Sequence, residues 1–208
     1  MRRSRWTFIL FTGLFLFNLL LPKGAIGETY PFSIRYESLQ EFPSLQQKIG
    51  LQLGLAPFKD ERADPSRIGV RTSLQGVPTY FKSEPLPLVK ALTDSLSKVI
   101  SRSRINTLPF PPWEGGPEIL RTMETDAVLM VEIKRFWTDA RGELFRTRSK
   151  TWIELRIHLG VKKEGKVFSK NVEFEKEVTV FRWTPERLEK MINQMLSDIF
   201  DAYFSDPY

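Results

Sequence analysis

The apolar positions of the chain fall into runs whose periods name their secondary structure. Ile49, Leu51, Leu53 and Leu55 alternate with Gly50, Gln52 and Gly54, a period of two that predicts a strand ending near Phe58 with four aliphatic side chains on one face. From Lys59 to Pro85 the chain turns polar and carries Asp64-Pro65, Gly69, Gly76 and Pro78. It reads as a long loop with a short extra strand near Gly69 to Thr72. Leu88, Val89, Leu92, Leu96, Val99 and Ile100 then recur at helical spacing, with Ser83 placed as N-cap and Glu84 and Pro85 in the first turn. A short helix is expected over 117–124, after the proline-rich stretch 106–116. Ala127 to Trp137 starts almost continuously apolar, as a central strand does. Residues 152–161 alternate most clearly, with Ile153, Leu155, Ile157, Leu159 and Val161 on one face. A glycine-bearing hairpin at 163–166 leads to a fourth strand, where Val172, Phe174, Val178 and Val180 share a parity that Lys176 interrupts. Thr184 as N-cap and Pro185 at the first helical position open a closing helix with a stripe of Leu188, Met191, Ile192, Met195, Ile199, Ala202 and Tyr203.

This order predicts an α/β (α+β) two-layer sandwich, a mainly antiparallel sheet of about four strands with two long helices on one face. The single domain spans 49–208, and residues 28–48, with Pro31, Pro43 and no sustained period, form an extended lead-in. Arg2, Arg3 and Arg5 precede sixteen uncharged residues, Trp6 to Leu21, and the small-residue ending Ala25-Ile26-Gly27 follows. Residues 1–27 therefore read as a secretory signal peptide cleaved after Gly27, with an uncleaved anchor as the alternative. The location expected is the periplasm or the envelope.

Charge changes meaning once that leader is set aside. The net charge of +6 includes four leader cations, Arg2, Arg3, Arg5 and Lys23, and no leader acid, so the remainder carries only +2. A nucleic-acid partner is not expected, because phosphate binding needs a clustered cationic excess. The absence of cysteine excludes thiolate chemistry and disulfides.

Candidate chemistry is sparse. Asp60, Glu61 and Asp64 are interleaved with Arg62 and Arg67. Such carboxylates serve as acid and base or as ligands of a hard cation. Without calcium-loop spacing the residues favour an internally salt-bridged loop. His158, the sole histidine, shares a strand face with Glu154 and Arg156. Glu154 is ~13 Å away along the strand, too far for a dyad, and the reading is a sheet histidine. No G-x-S-x-G elbow, phosphate loop or H-E-x-x-H motif occurs. Lys134, Arg135, Arg141, Arg146, Arg148 and Lys150 are interleaved with Phe136, Trp137, Phe145 and Trp152, opposed only by Asp139 and Glu143. That pattern suits an anionic headgroup, a polyanionic glycan or an acidic protein surface, while the residues by themselves narrowly favour a solvated hairpin with its aromatics pinned to the sheet.

The run Leu53-Gly-Leu-Ala-Pro-Phe-Lys-Asp-Glu-Arg-Ala-Asp-Pro-Ser-Arg-Ile-Gly69 resembles the start of the YajG-like lipoprotein family of bacterial envelopes, in which a first strand runs into a D-x-R loop ending near a glycine. The later layout of helix, strand, hairpin and terminal helix is similar. The resemblance implies a secreted envelope protein and a fold more than an activity, and the usual lipidated cysteine is absent. A looser likeness extends to auxiliary components of envelope transport systems. The expectation is a non-enzymatic envelope accessory protein without cofactor, binding a protein or an anionic envelope surface through Asp60, Arg62, Asp64, Arg67, Trp137, Arg141, Arg146, Arg148 and Trp152. The alternatives are a transport auxiliary and a carboxylate-dependent hydrolase.

Overall fold

A computed structural model describes residues 28–207 except 39; the expected signal peptide lies outside the described residues. In chain order the elements are β1 (Thr29–Phe32), α1 (Pro43–Ile49), β2 (Gln52–Leu55), β3 (Lys59–Asp60), β4 (Gly69–Thr72), β5 (Pro78–Ser83), α2 (Leu88–Arg102), β6 (Asn106–Pro109), β7 (Ala127–Gly142), β8 (Thr147–Val161), β9 (Lys166–Val180) and α3 (Pro185–Ser205). Single 3₁₀ turns cover Glu118–Arg121 and Lys162–Glu164.

β7 is the spine of the sheet. One edge pairs antiparallel with β8, which pairs antiparallel with β9, so three strands of 15 or 16 residues form a long meander. Its other edge is shared in succession by β2, β3 and β4, all parallel to it. β6 extends the β2 end, while β5 and then β1 extend the β4 end. The sheet thus has nine described strands instead of about four. Only the meander and the β4–β5 hairpin are antiparallel; β1, β3, β5 and β6 are too brief for the periodicity that betrays a long strand.

A β-bulge between Ile133 and Arg135 changes the parity of β7. Before it, Leu129, Val131 and Ile133 face the main core; after it, Phe136 and Ala140 do. All three helices pack on that one face, as the two long stripes require: Leu92, Leu96 and Ile100 of α2 and Ile192, Met195 and Leu196 of α3 are fully buried there. On the opposite face Trp113, Leu120, Met123, Val128 and Met130 make a smaller core under the segment 110–123. Thr184 caps α3, its Oγ1 accepting from Arg187 N at 3.3 Å, with Pro185 next.

Several local expectations are corrected. Ile49 closes α1, and Gly50, at φ +87°, breaks the chain before β2. Leu51 is consequently exposed while Leu53 is buried. The stretch 59–85 holds three strands. Ser83 ends β5 and its Oγ donates to Leu86 O at 2.7 Å instead of capping a helix; α2 begins at Leu88. Residues 28–48, expected as a lead-in, supply Phe32, Ile34, Tyr36, Phe42 and Leu45 to the main core. Residues 33–37 are stitched to α3: Ser33 N donates to Glu189 Oε2 (2.9 Å), Arg35 N to Asn193 Oδ1 (3.0 Å), and Tyr36 Oη to Asp201 Oδ1 (2.7 Å).

Candidate functional site

The D-x-R loop closes on itself. Arg62 donates from Nε to Asp60 Oδ1 (2.8 Å) and from Nη2 to Asp60 Oδ2 (2.7 Å), and also to Arg67 O, Pro65 O and Phe136 O. The two side chains are 6% and 13% exposed. A bidentate, nearly dry pair with both carboxylate oxygens engaged fastens the loop to the spine. Asp64 accepts from Ser66 Oγ at 2.5 Å and from Ser66 N at 3.0 Å, and the hydroxyl bond first, with the backbone bond, holds its carboxyl below the usual carboxylate range. Arg67 stacks over Tyr80 at 3.8 Å. These four residues are arranged as loop architecture.

The basic hairpin is also largely self-neutralised. Arg141 meets Asp139 at 3.3 Å, Arg146 pairs with Glu143, and Arg148 lies 3.8 Å from Glu143 and 3.6 Å from Glu177. Trp137 and Trp152 are cross-strand partners on the outer face, and Arg135 and Lys150 sit over Trp152 at 4.4 and 5.0 Å.

The tip of this hairpin has a different character. Among the described residues seven large hydrophobic side chains are exposed, and five of them, Leu74, Val77, Leu144, Phe145 and Phe181, lie at one end of the sheet. The turn between β4 and β5 (Ser73 N to Val77 O, 3.0 Å) and the turn between β7 and β8 (Glu143 N to Arg146 O, 2.7 Å) are neighbours. A methyl added to Gly142 would lie 3.2 Å from Leu74 N. Val180 pairs with Thr147, so Phe181 emerges beside the same tip. The described chain also starts there, Glu28 O accepting from Tyr80 N at 2.9 Å.

A recess opens on the helix side of this end, between β9 and the first turns of α3. Its volume is about 360 Å³, and Val178, Val180, Trp183, Leu188 and Met191 line it with Lys176, Arg187 and Lys190.

On the opposite face three strands bring together a row that the sequence did not reveal. Ser169 Oγ lies 2.7 Å from His158 Nδ1; His158 Nε2 lies 3.5 Å from Glu132 Oε1; Lys134 Nζ lies 2.7 Å from Glu132 Oε2 and 2.6 Å from Glu61. Trp113 meets the imidazole edge-on, ring centroids 6.5 Å apart. Burial lowers the pKa of His158 against the opposing pull of Glu132, which favours the neutral ring. Burial pushes Glu132 up, but Lys134, His158 and Arg156 together outweigh it and leave the carboxyl below its ordinary value. In the tautomer that leaves Nδ1 unprotonated, the imidazole accepts from the Ser169 hydroxyl, the arrangement of a general base; in the other tautomer Nδ1 donates. Ser169 and Glu132 escaped sequence reading because they join His158 through strand register: Ser169 is directly opposite and Glu132 is diagonal on the next strand. Among the described residues no three His, Asp or Glu side chains converge as metal ligands, and no helix is long and apolar enough to cross a membrane.

No protein-family description and no curated protein matches the chain. Among solved structures, protein XCC0632 from Xanthomonas campestris, described as DUF330, is similar with a TM-score of 0.54 and 16% identity over 86% of this chain and 93% of that one. A putative neuraminyllactose-binding hemagglutinin homologue from Helicobacter pylori (TM-score 0.40, 12% identity, 86% and 92% covered) is a more distant likeness. So is lipoprotein GNA1162 from Neisseria meningitidis (TM-score 0.34, 12% identity, 72% and 98% covered). The chain shares its fold with XCC0632.

Proposed function

We propose that the protein is a non-enzymatic accessory protein of the bacterial cell envelope that works seated on a membrane surface. The observation that carries this reading is the collection of Leu74, Val77, Leu144, Phe145 and Phe181 at one end of the sheet, with Phe145 77% and Phe181 88% exposed. Contiguous apolar surface on two adjoining turns is what an interfacial protein lowers into the headgroup boundary. Arg141, Arg146 and Arg148 collar the tip within reach of anionic headgroups. Glu28, where the described chain begins, lies at this same end. The YajG-like segment fits an envelope location, and a membrane-seated binder suits service to an envelope transport system.

The test is flotation with vesicles of phosphatidylglycerol and phosphatidylcholine. Full burial of a large apolar side chain is worth ~1.5–3 kcal/mol, so Leu144→Ser with Phe145→Ser lowers vesicle association roughly tenfold or more while the melt is unchanged. Arg141→Ser, Arg146→Ser and Arg148→Ser together have a smaller, salt-sensitive effect, since each arginine already faces a carboxylate. Equal flotation of parent and Leu144/Phe145 variant refutes the reading.

A second reading, acyl transfer to Ser169, is favoured by the Ser169–His158–Glu132 row. Labelling of Ser169 by a fluorophosphonate, lost in His158→Ala, supports it; an unlabelled parent removes it. The hydrolase centred on Asp60 is less favoured, because Arg62 occupies both oxygens of that carboxylate.

A further inference from the structure

The recess between β9 and α3 carries a charge pattern that its surroundings do not explain. Lys176 stands on the core-facing parity of β9, between Phe174 and Val178; Lys166 and Lys170 share that parity nearer the other end of the strand. A cation half-buried among apolar side chains is costly unless something compensates it. Arg187 and Lys190, one turn apart on α3, join it on the lining. None of the three makes an ion pair among the described residues, and the acids nearest in sequence on β9, Glu175 and Glu177, are engaged by Lys150 and Arg148 on the opposite face. Trp183, also in the lining, has a buried Nε1–H with no acceptor among the described residues. Val178, Val180, Leu188 and Met191 supply the apolar wall, and Ser149, Thr184 and Gln194 complete the lining. The volume, about 360 Å³, sits at the small end of the ~300–1,000 Å³ typical of small-molecule sites.

We propose that this recess binds a single-chain amphiphile with an anionic head. The tail lies against Val178, Val180, Leu188 and Met191, and the head meets Lys176, Arg187 and Lys190. Three cations without a carboxylate partner among the described residues select the sign of the head, the Arg187 guanidinium donating only to the Arg182 carbonyl, and the size admits one chain. The inference deepens the reading of the protein as a binder at a membrane surface, since the recess opens at the end that bears the exposed apolar turns, and it stands on its own residues.

The experiment is calorimetric titration of the protein as purified from cells with dodecanoate, dodecyltrimethylammonium and dodecyl maltoside, each below its micelle-forming concentration. Dodecanoate is expected to bind saturably and at least tenfold more tightly than the other two. Arg187→Glu with Lys190→Glu, both exposed and so without consequence for folding, is expected to lose that preference and shift it toward the cationic probe. Met191→Trp, checked by its melt, is expected to block all three by filling the recess. Equal affinities, absence of saturable binding, or a preference that survives the charge reversal overturns the proposal. Vesicle flotation reports separately: dodecanoate binding without flotation removes the membrane-seated reading and leaves the recess, and flotation without dodecanoate binding does the reverse.

Discussion

Replacing Arg62 by Ala removes a guanidinium that makes two hydrogen bonds to Asp60 and reaches three backbone carbonyls. Asp60 is left charged with its side chain only 13% exposed. Breaking a buried pair from one side costs ~3–5 kcal/mol, because the stranded charge keeps its desolvation penalty and loses its partner. Pro65 O is exposed enough for water to replace Arg62 there, so the lower part of that range, ~3 kcal/mol, is expected. At ~2–4 °C per kcal/mol for a domain of this size, the melting midpoint falls by ~6–12 °C. Asp60→Leu with Arg62→Met replaces the pair by apolar groups and is expected to melt above Arg62→Ala, although it lacks both charges. Thermal and urea melts of the single and double variants decide the matter. A loss under ~1 kcal/mol in Arg62→Ala, or a double variant less stable than the single one, refutes a buried structural pair and returns Asp60 and Arg62 to the partner-binding surface.

Leu92→Asp and Ile192→Asp each place a carboxylate at a fully buried position on the helix-side core; a loss of about 4 kcal/mol or more, read in urea melts, is expected for each. Gly69→Val forces a Cβ to within 2.4 Å of Thr138 O where β4 meets β7, and is expected to cost roughly 2 kcal/mol in the same assay. His158 has its pKa lowered from 6.5 by burial. The unfolded chain therefore takes up a proton before the native one does, so the stability this residue provides is complete above about 6.5 and is lost as the pH falls through the lower native value. The lowered pKa of Glu132 acts in the same direction below its ordinary 4.5. Urea midpoints between pH 7 and 5 should fall more steeply in the parent than in His158→Gln, and parallel curves would show that the ring is solvated.

What could be seen in the sequence and what could not follow from separation along the chain. The cap and first turn of α3, the strand at Gly69–Thr72 and the alternation of β8 rest on neighbours within a few residues, and local pattern found them. The stretch from Ile49 to Leu55 misled because a helix end followed by a strand mimics one alternating strand; only the positive φ of Gly50 separates them. The segment from Phe32 to Tyr36 does not show as core in the sequence because its partners are remote: Phe32 stacks on Phe81 of β5, and Ser33, Arg35 and Tyr36 bond to α3 more than 150 residues away. The candidate site divides the same way. Lys176 was visible as an interruption of an apolar face, which is the mark of the recess. Phe145 was visible as an aromatic in the basic hairpin, but its company of Leu74, Val77 and Phe181 depends on which turns the spine strand brings side by side.

Because the chain has no cysteine, a single introduced one can report on each end of the sheet without a background. Phe145→Cys at the apolar turn and Glu164→Cys at the turn between β8 and β9 would each be labelled with an environment-sensitive fluorophore and titrated with phosphatidylglycerol-containing vesicles. The account predicts a blue shift and protection from an aqueous quencher at position 145, with position 164 unchanged. A label at 145 that stays in water while the protein is bound to vesicles, or equal shifts at both positions, would contradict a membrane seat at this end of the sheet.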